Sequence, residues 1–320
     1  MNSLRAALMA QAAGLIWAVD ETFFMGIKAQ IEHGELFTAN GVLKPGEDTD
    51  SVQAAAIHPA TERATAKREG TVLVVPVSGV ISPRMSLFDY LFNGGTTNPA
   101  AVAAAVEQGV NDPSIKTVIV TYDTPGGNTM QVTEAAQRML AVRGKGTPII
   151  SQVVGVCASA GYWMASTGDE ISATPSGLVG GVGAFQTHDD LSGMYAQEGV
   201  NRTFQQAGAF KTEAMDTAPL SDEAVAHRLA NVEAVMTQFA ADVAKGRNVT
   251  PAVVRGEEYG QGRAYLSPLA LKRGMVDRVR AFADTLSAYG AQLDPIMSDR
   301  RGRTMALSDA AAHARLRGID

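Results

Sequence analysis

From Thr71 onward the chain alternates short runs of Val and Ile with stretches of helical composition, and this alternation restricts its fold more than any other feature. "TVLVVPVSGVI", "KTVIVTYD" and "TPIISQVV" are apolar runs of strand length, without the strict polar–apolar alternation of a half-exposed sheet. Between them lie "NPAAVAAAVEQGV", with Asn98 placed as a cap and Pro99 at the first helical position, and "NTMQVTEAAQRMLAVRG". Strands that are apolar on both sides and separated by helices must be buried on both faces, which specifies an α/β domain with a parallel-rich sheet. Further along, "EISAT", "GGVGAF" and "NRTFQQ" read as shorter extended segments. "SDEAVAHRLANVEAVMTQFAADVAKGR" reads as a long amphipathic helix whose charges face solvent.

The flanks have a different character. Residues 1–43 mix apolar and charged positions at near-helical spacing and predict an N-terminal helical extension. Residues 44–70 have few large apolar side chains and many charges, and read as a linker to a domain over 71–285. The polar, Ala- and Arg-rich 286–320 reads as a mobile tail. The opening "MNSLRAALMAQAAGLIWAV" is interrupted by Gln11 and falls short of the ~20 apolar residues of a span, so an amphipathic docking helix is expected and a membrane span is not.

The 33 acidic and 27 basic residues leave a net charge of −6 with no concentrated basic face, which argues against nucleic acid as a partner. A lone cysteine, Cys157, cannot form an internal disulfide, and a reducing compartment suits it. The five histidines lack metal-ligand spacing, and neither a metal nor a cofactor is expected.

The chemistry concentrates around "CASAGYWMAST", where the apolar run ending at Cys157 delivers the chain to Ser159. Read alone, Ser159 is a helix cap and Cys157 a small buried side chain. As a nucleophile, Ser159 needs a base within hydrogen-bond reach and donors for the oxyanion it creates. The free N–H of Ala160 at a helix start is one such donor. The glycine turn in "YDTPGGN", Gly126 and Gly127, offers the other, because glycine backbone can approach a substrate closely. Two bases are open from the residues alone. His188 in "FQTHDDLSG" has Asp189 and Asp190 beside it, and Lys211 in "QQAGAFKTEAM" serves if its surroundings keep it neutral.

Four segments, "TYDTPGGN", "CASAGYWMASTGDEISATPSGLVGGVGAF", "QQAGAFKTEA" and "GQGRAYLSPLALKRGMVD", resemble in this order the signal peptide peptidase A (protease IV) family of serine peptidases. The resemblance spans about 70–280. It implies Ser159 as nucleophile and Lys211 as general base, with Gly126, Gly127 and Ala160 around the oxyanion hole and His188 at most auxiliary. It further implies a ClpP/crotonase-like α/β superhelix that assembles into homo-oligomeric rings. Ala160 departs from the family's first glycine after the serine, and Asp123-Thr124 from its more common Asn-Ser. The opening "GLIWAVDETFFMGIKAQI" is similar to the phage head-maturation (prohead) branch. That likeness implies a Ser-Lys endopeptidase that acts on scaffold, portal or coat proteins, and on itself, in host cytoplasm inside the procapsid. The alternatives are a host-type signal peptide peptidase degrading membrane-derived peptides and a catalytically silent assembly protein.

Overall fold

A computed structural model describes residues 17–19, 37–38, 41–42, 66–83 and 96–290. Its main sheet is built from the predicted apolar runs. Strand β5 (Val72–Ser78) pairs in parallel with β8 (Thr117–Thr124), and β8 pairs in parallel with β10 (Ile149–Ala158). Helix α1 (Pro99–Asn111) and helix α2 (Val132–Val142) make the two crossovers that parallel pairing requires. Asn98 caps α1 through its side-chain oxygen, which accepts the Ala100 and Ala101 N–H groups. The helix buries Val102, Ala103, Val106 and Val110 at helical spacing against the sheet.

Beyond β8 the sheet forks at β10. Its first half pairs with β11 (Glu170–Ala173) and its second half with β12 (Leu178–Gly180), both in parallel. Between Val153 and Cys157 the register with β8 shifts, and the Val156 N–H donates to the Asp123 side chain at 3.1 Å. The β11 branch continues to β14 (Arg278–Val279), and the β12 branch to the antiparallel β13 (Ala264–Leu266). An antiparallel β4 (Lys67–Glu69) covers Val72–Val74 of β5, and Pro76 lies past its end.

A second, smaller sheet caps this one. The chain turns at Gly79 out of β5 into β6 (Val80–Ile81), and at Pro125 out of β8 into β9 (Gly126–Asn128). The Gly79 N–H holds the two bends together through the Asp123 carbonyl at 3.0 Å. On one edge β9 pairs with β6, which continues to β7 (Thr96–Thr97); on the other it pairs antiparallel with β1 (Trp17–Val19).

This pairing corrects one expectation. Residues 17–19 were expected in a helix but are extended, because an edge of β9 offers unpaired backbone that a strand satisfies and a helix cannot. Phe37–Thr38 and Gly41–Val42 likewise form a hairpin, β2 and β3, in place of helix. The rest of the proposed extension, most of the linker and residues 291–320 of the tail lie outside the described residues.

Helix α3 (Ala160–Ala165) is wholly buried, and the long helix α5 (Asp222–Arg247) packs its C-terminal half beneath it. Ser221 caps α5, and Asn248 ends it in the left-handed conformation. Between β12 and α5 the chain makes an exposed excursion containing one short helix, α4 (Ser192–Gln197). "NRTFQQ" lies there and pairs with no strand. The domain closes with α6 (Pro251–Arg255), α7 (Ser267–Lys272) and α8 (Phe282–Ala288). No helix among the described residues is long and apolar enough to cross a membrane.

Candidate active site

Ser159 stands where β10 gives way to α3, with φ 58° and ψ −119°. This conformation is rare for a residue with a side chain and costs about 1–3 kcal/mol, which the surrounding structure must hold in place. Three bonds do so. The Ser159 N–H donates to the Gly180 carbonyl at 2.8 Å, its carbonyl accepts the Trp163 N–H at 2.9 Å, and the preceding strand is paired on both sides. Although Ser159 occupies the cap position, its hydroxyl makes no capping bond. Oγ instead points toward the Gly183 carbonyl at 3.4 Å, a long contact that leaves it available for chemistry.

The floor beneath Ser159 is glycine. A Cβ at Gly181 would approach the Ser159 nitrogen at 3.1 Å, and one at Gly180 would meet the Arg263 carbonyl at 2.5 Å. Both glycines also have positive φ, 143° at Gly180 and 63° at Gly181, which adds a conformational reason for their lack of side chains. Sequence reasoning took "GGVGAF" for a strand; the signal it held was the dense glycine run itself, beside a backbone that needs room.

The turn that enters β9 lies alongside α3. Its Gly126 N–H is committed to the Thr124 hydroxyl at 3.1 Å. Gly127 is packed so closely on β6 that an added Cβ would lie 2.6 Å from the Ile81 nitrogen and closer still to its carbonyl oxygen. On the helix side, the Ala160 N–H is at the first position of α3, where no intrahelical acceptor exists. Gly161, the next residue, faces the Thr124 methyl.

Of the two candidate bases, neither is joined to Ser159. His188 directs Nε2 at the Ala218 carbonyl, 3.1 Å away, within the exposed excursion. Asp190 accepts the Ser192 N–H at 3.0 Å, and this hydrogen-bonding to Ser192, together with the nearby His188, holds its carboxyl below the usual value. Lys211 lies exposed in a run of turns, and its Nζ has no hydrogen bond or ion pair among the described residues. Phe204, Phe210 and Met215, which flank it in sequence, are also exposed.

Cys157 is fully buried, and burial pushes its thiol far above the ordinary range, so it is held as the neutral thiol and is not a nucleophile. Tyr162, Trp163 and Met164 are core. Tyr162 donates to the Met275 carbonyl at 2.8 Å, and Trp163 stacks on Phe239 with ring centroids 4.5 Å apart. The charges of α5 are not all solvated as the sequence suggested. Asp242 is buried, accepts the Trp163 indole N–H at 3.0 Å and a Gln238 amide N–H at 3.0 Å, and has its carboxyl pushed up by burial. The Arg247 side chain is only 8% exposed, and it grips Asp277 with two bonds of 2.7 and 2.8 Å. Neither was legible in advance, because a helical charge pattern does not reveal which partner lies opposite.

An α/β domain that places a serine on a strained strand-to-helix turn, beside a glycine strand, is of the kind that hydrolytic enzymes use. Comparison with known sequences points the same way: residues 141–294 match the model of peptidase family S49. The chain is 24% identical over 227 residues to Protease 4 of Salmonella typhi, covering 68% of this chain and 34% of that protein. To the Head-tail preconnector protein GP5 of Enterobacteria phage P21 it is 25% identical over 234 residues, 73% of this chain and 45% of the relative. To Capsid assembly protease C of Escherichia phage lambda it is 24% identical over 235 residues, 73% and 52%. The chain thus spans about a third to a half of the length of these relatives.

Proposed function

We propose that this domain, over about 71–285, is a serine endopeptidase with a Ser159–Lys211 dyad on a ClpP/crotonase-like fold. The observation that carries the reading is the strained backbone of Ser159 inside the stretch that matches peptidase family S49. Strain of this kind has no use for a helix cap that makes no capping bond.

In the reaction, neutral Lys211 takes the Ser159 proton as Oγ attacks a peptide carbonyl carbon. The oxyanion is held by the Gly127 and Ala160 N–H groups, with Gly126 shaping the turn through its bond to Thr124. Collapse breaks the peptide C–N bond, and the Lys211 ammonium returns its proton to the leaving amine. Water, deprotonated by Lys211, then attacks the ester carbon, the acid product leaves, and Oγ regains a proton.

A lysine acts as a base only where it is kept neutral, which requires desolvation. The apolar residues flanking Lys211 in sequence suggest that a second copy of the chain covers it, in keeping with a homo-oligomeric ring. His188 is read as structural, since its ring serves the Ala218 carbonyl. The phage relatives favour capsid-assembly proteins, meaning scaffold, portal or coat, as substrates, and a procapsid as the place of action. The likeness to Protease 4 keeps signal-peptide degradation as the alternative.

The test is cleavage of a co-expressed scaffold protein and of fluorescently labelled casein. Ser159→Ala and Lys211→Ala are expected to abolish both, Ser159→Ala also abolishing labelling by a fluorophosphonate probe, while His188→Ala retains activity. Cleavage by either dyad variant at the wild-type rate would refute the dyad. Activity that is lost in His188→Ala and kept in Lys211→Ala would transfer the base to His188.

A further inference from the structure

Thr124 ends β8 and is fully buried, and its side chain reaches in two directions. Its hydroxyl accepts the Gly126 N–H at 3.1 Å and lies 3.4 Å from the Gly126 carbonyl, so it closes the turn that starts β9. Its methyl group lies against α3, where a Cβ added to Gly161 would come within 2.5 Å of Cγ2. The Thr124 backbone is meanwhile fixed in register opposite Cys157, two residues before Ser159. One side chain therefore touches both backbone segments that flank the nucleophile.

We infer that Thr124 is a positioning residue that sets the spacing between the two oxyanion donors, the hydroxyl orienting the glycine strand and the methyl spacing helix α3 from it. This inference rests on the serine peptidase reading above. Such a division of labour separates into two chemical halves. Thr124→Val is nearly isosteric and keeps both methyl-sized branches, but removes the acceptor and leaves the buried Gly126 N–H unpaired. Thr124→Ser keeps the acceptor and removes the methyl group.

The methyl half has its own consequence. While Thr124 stands there, Gly161 cannot take a side chain; without its Cγ2, the next neighbours of an added Cβ are the Thr124 carbonyl oxygen at 3.7 Å and Cβ at 3.8 Å, both ordinary contacts. Gly161→Ala alone should therefore displace α3, and Thr124→Ser should make room for it.

The experiment measures kcat and KM on labelled casein, with the rate of fluorophosphonate labelling, for the full chain and for Thr124→Val, Thr124→Ser, Gly161→Ala and Thr124→Ser/Gly161→Ala. Circular dichroism verifies folding at the assay temperature, and Ser159→Ala serves as the reference. Thr124→Val is expected to lower kcat by about tenfold to a hundredfold with KM nearly unchanged, while Thr124→Ser restores most of it. Gly161→Ala is expected to be impaired by a similar factor, and the double variant to recover at least tenfold over it.

If Thr124→Val folds and keeps wild-type kcat, the orienting role of the hydroxyl is overturned. If Thr124→Val does not fold, the Gly161 pair decides: recovery in the double variant supports the spacing role, and no recovery overturns it. Activity or labelling that persists in Ser159→Ala would instead overturn the peptidase assignment, independently of Thr124.

Discussion

Gly127→Ala is the sharpest perturbation of the proposed oxyanion strand. A Cβ at this position would lie 2.7 Å from the Ile81 carbonyl carbon and 2.6 Å from its nitrogen. Carbon atoms in contact keep about 3.5–4.0 Å, so β9 must retreat from β6 by about 1 Å, and both partners are backbone that cannot rotate away. Such overpacking costs about 1–3 kcal/mol of stability. The larger effect is on chemistry: a displacement of about 1 Å in a catalytic group costs on the order of 10²-fold, and loss of one oxyanion donor about 10²–10³-fold. We therefore expect kcat on labelled casein to fall by about 10²-fold or more, with a much smaller change in KM. Gly193→Ala is the matched control, because nothing lies within 4 Å of a Cβ there and the site is far along the excursion. A folded Gly127→Ala protein with kcat within about threefold of the wild type would refute the argument, since it would mean that the strand need not hold its place for the oxyanion to be stabilised.

Three further outcomes follow from other contacts. Arg247→Leu leaves Asp277 without its bidentate partner; breaking a buried pair costs about 3–5 kcal/mol, which we reduce to about 2–3 because the Asp277 side chain is 37% exposed. Thermal denaturation should show a fall of about 5–10 °C at neutral pH. Burial opposes ionisation of Asp277, but its bonds to Arg247 and to the Ile171 N–H outweigh that and lower its carboxyl below 3.8. The stabilisation is therefore present above the unfolded carboxylate range and lost as pH falls through the folded value, so the gap between variant and wild type should close below about pH 4; a gap that stays constant to pH 3 contradicts the pair. Cys157→Ala should keep fluorophosphonate labelling at the wild-type rate, and the native thiol should resist iodoacetamide until the protein unfolds, as its complete burial requires. Asp242→Asn can still accept the Trp163 N–H and can turn Gln238 to satisfy its amide; because burial raises the Asp242 carboxyl, the fold favours its neutral form, and the variant should gain stability relative to wild type as pH rises from 4 to 7. Equal urea midpoint shifts at both pH values would count against this.

The sheet was legible in the sequence because its strands are largely buried and so carry runs rich in Val and Ile, as in β5, β8 and β10. Asn98-Pro99 and Ser221 marked their helices for an equally local reason, since a cap acts on its own backbone. What could not be read was non-local. Trp17–Val19 is extended only because β9, more than a hundred residues later, lends it an edge. The Asp123-Thr124 departure from the family pattern had no account in one dimension; in three, Asp123 holds the β10 irregularity and Thr124 joins the glycine turn to Gly161. At the site, Ser159 read alone was a helix cap, and Lys211 and His188 were both open as bases; the family resemblance chose Lys211, and its exposure in the single chain shows why its local surroundings gave no decision between the two.

The register shift in β10 has a bearing on how this domain tolerates change. Side chains along a strand alternate between faces, so the phase at Ser159 depends on how many residues β10 contains between its first pairing with β8 and its end. The irregularity at 154–156 sets four residue steps of β10 (Val153 to Cys157) against two of β8 (Tyr122 to Thr124) and so keeps that phase; Val154 there is exposed, so its identity is open to variation while the residue count is not. Deleting one residue from this short stretch would leave the core composition almost intact and yet turn the hydroxyl of Ser159 toward the opposite layer. Domains built on this sheet should accordingly drift at the exposed position of the kink, and hardly at all in its length or at Gly155, where an added Cβ would run into the Asp123 carboxylate.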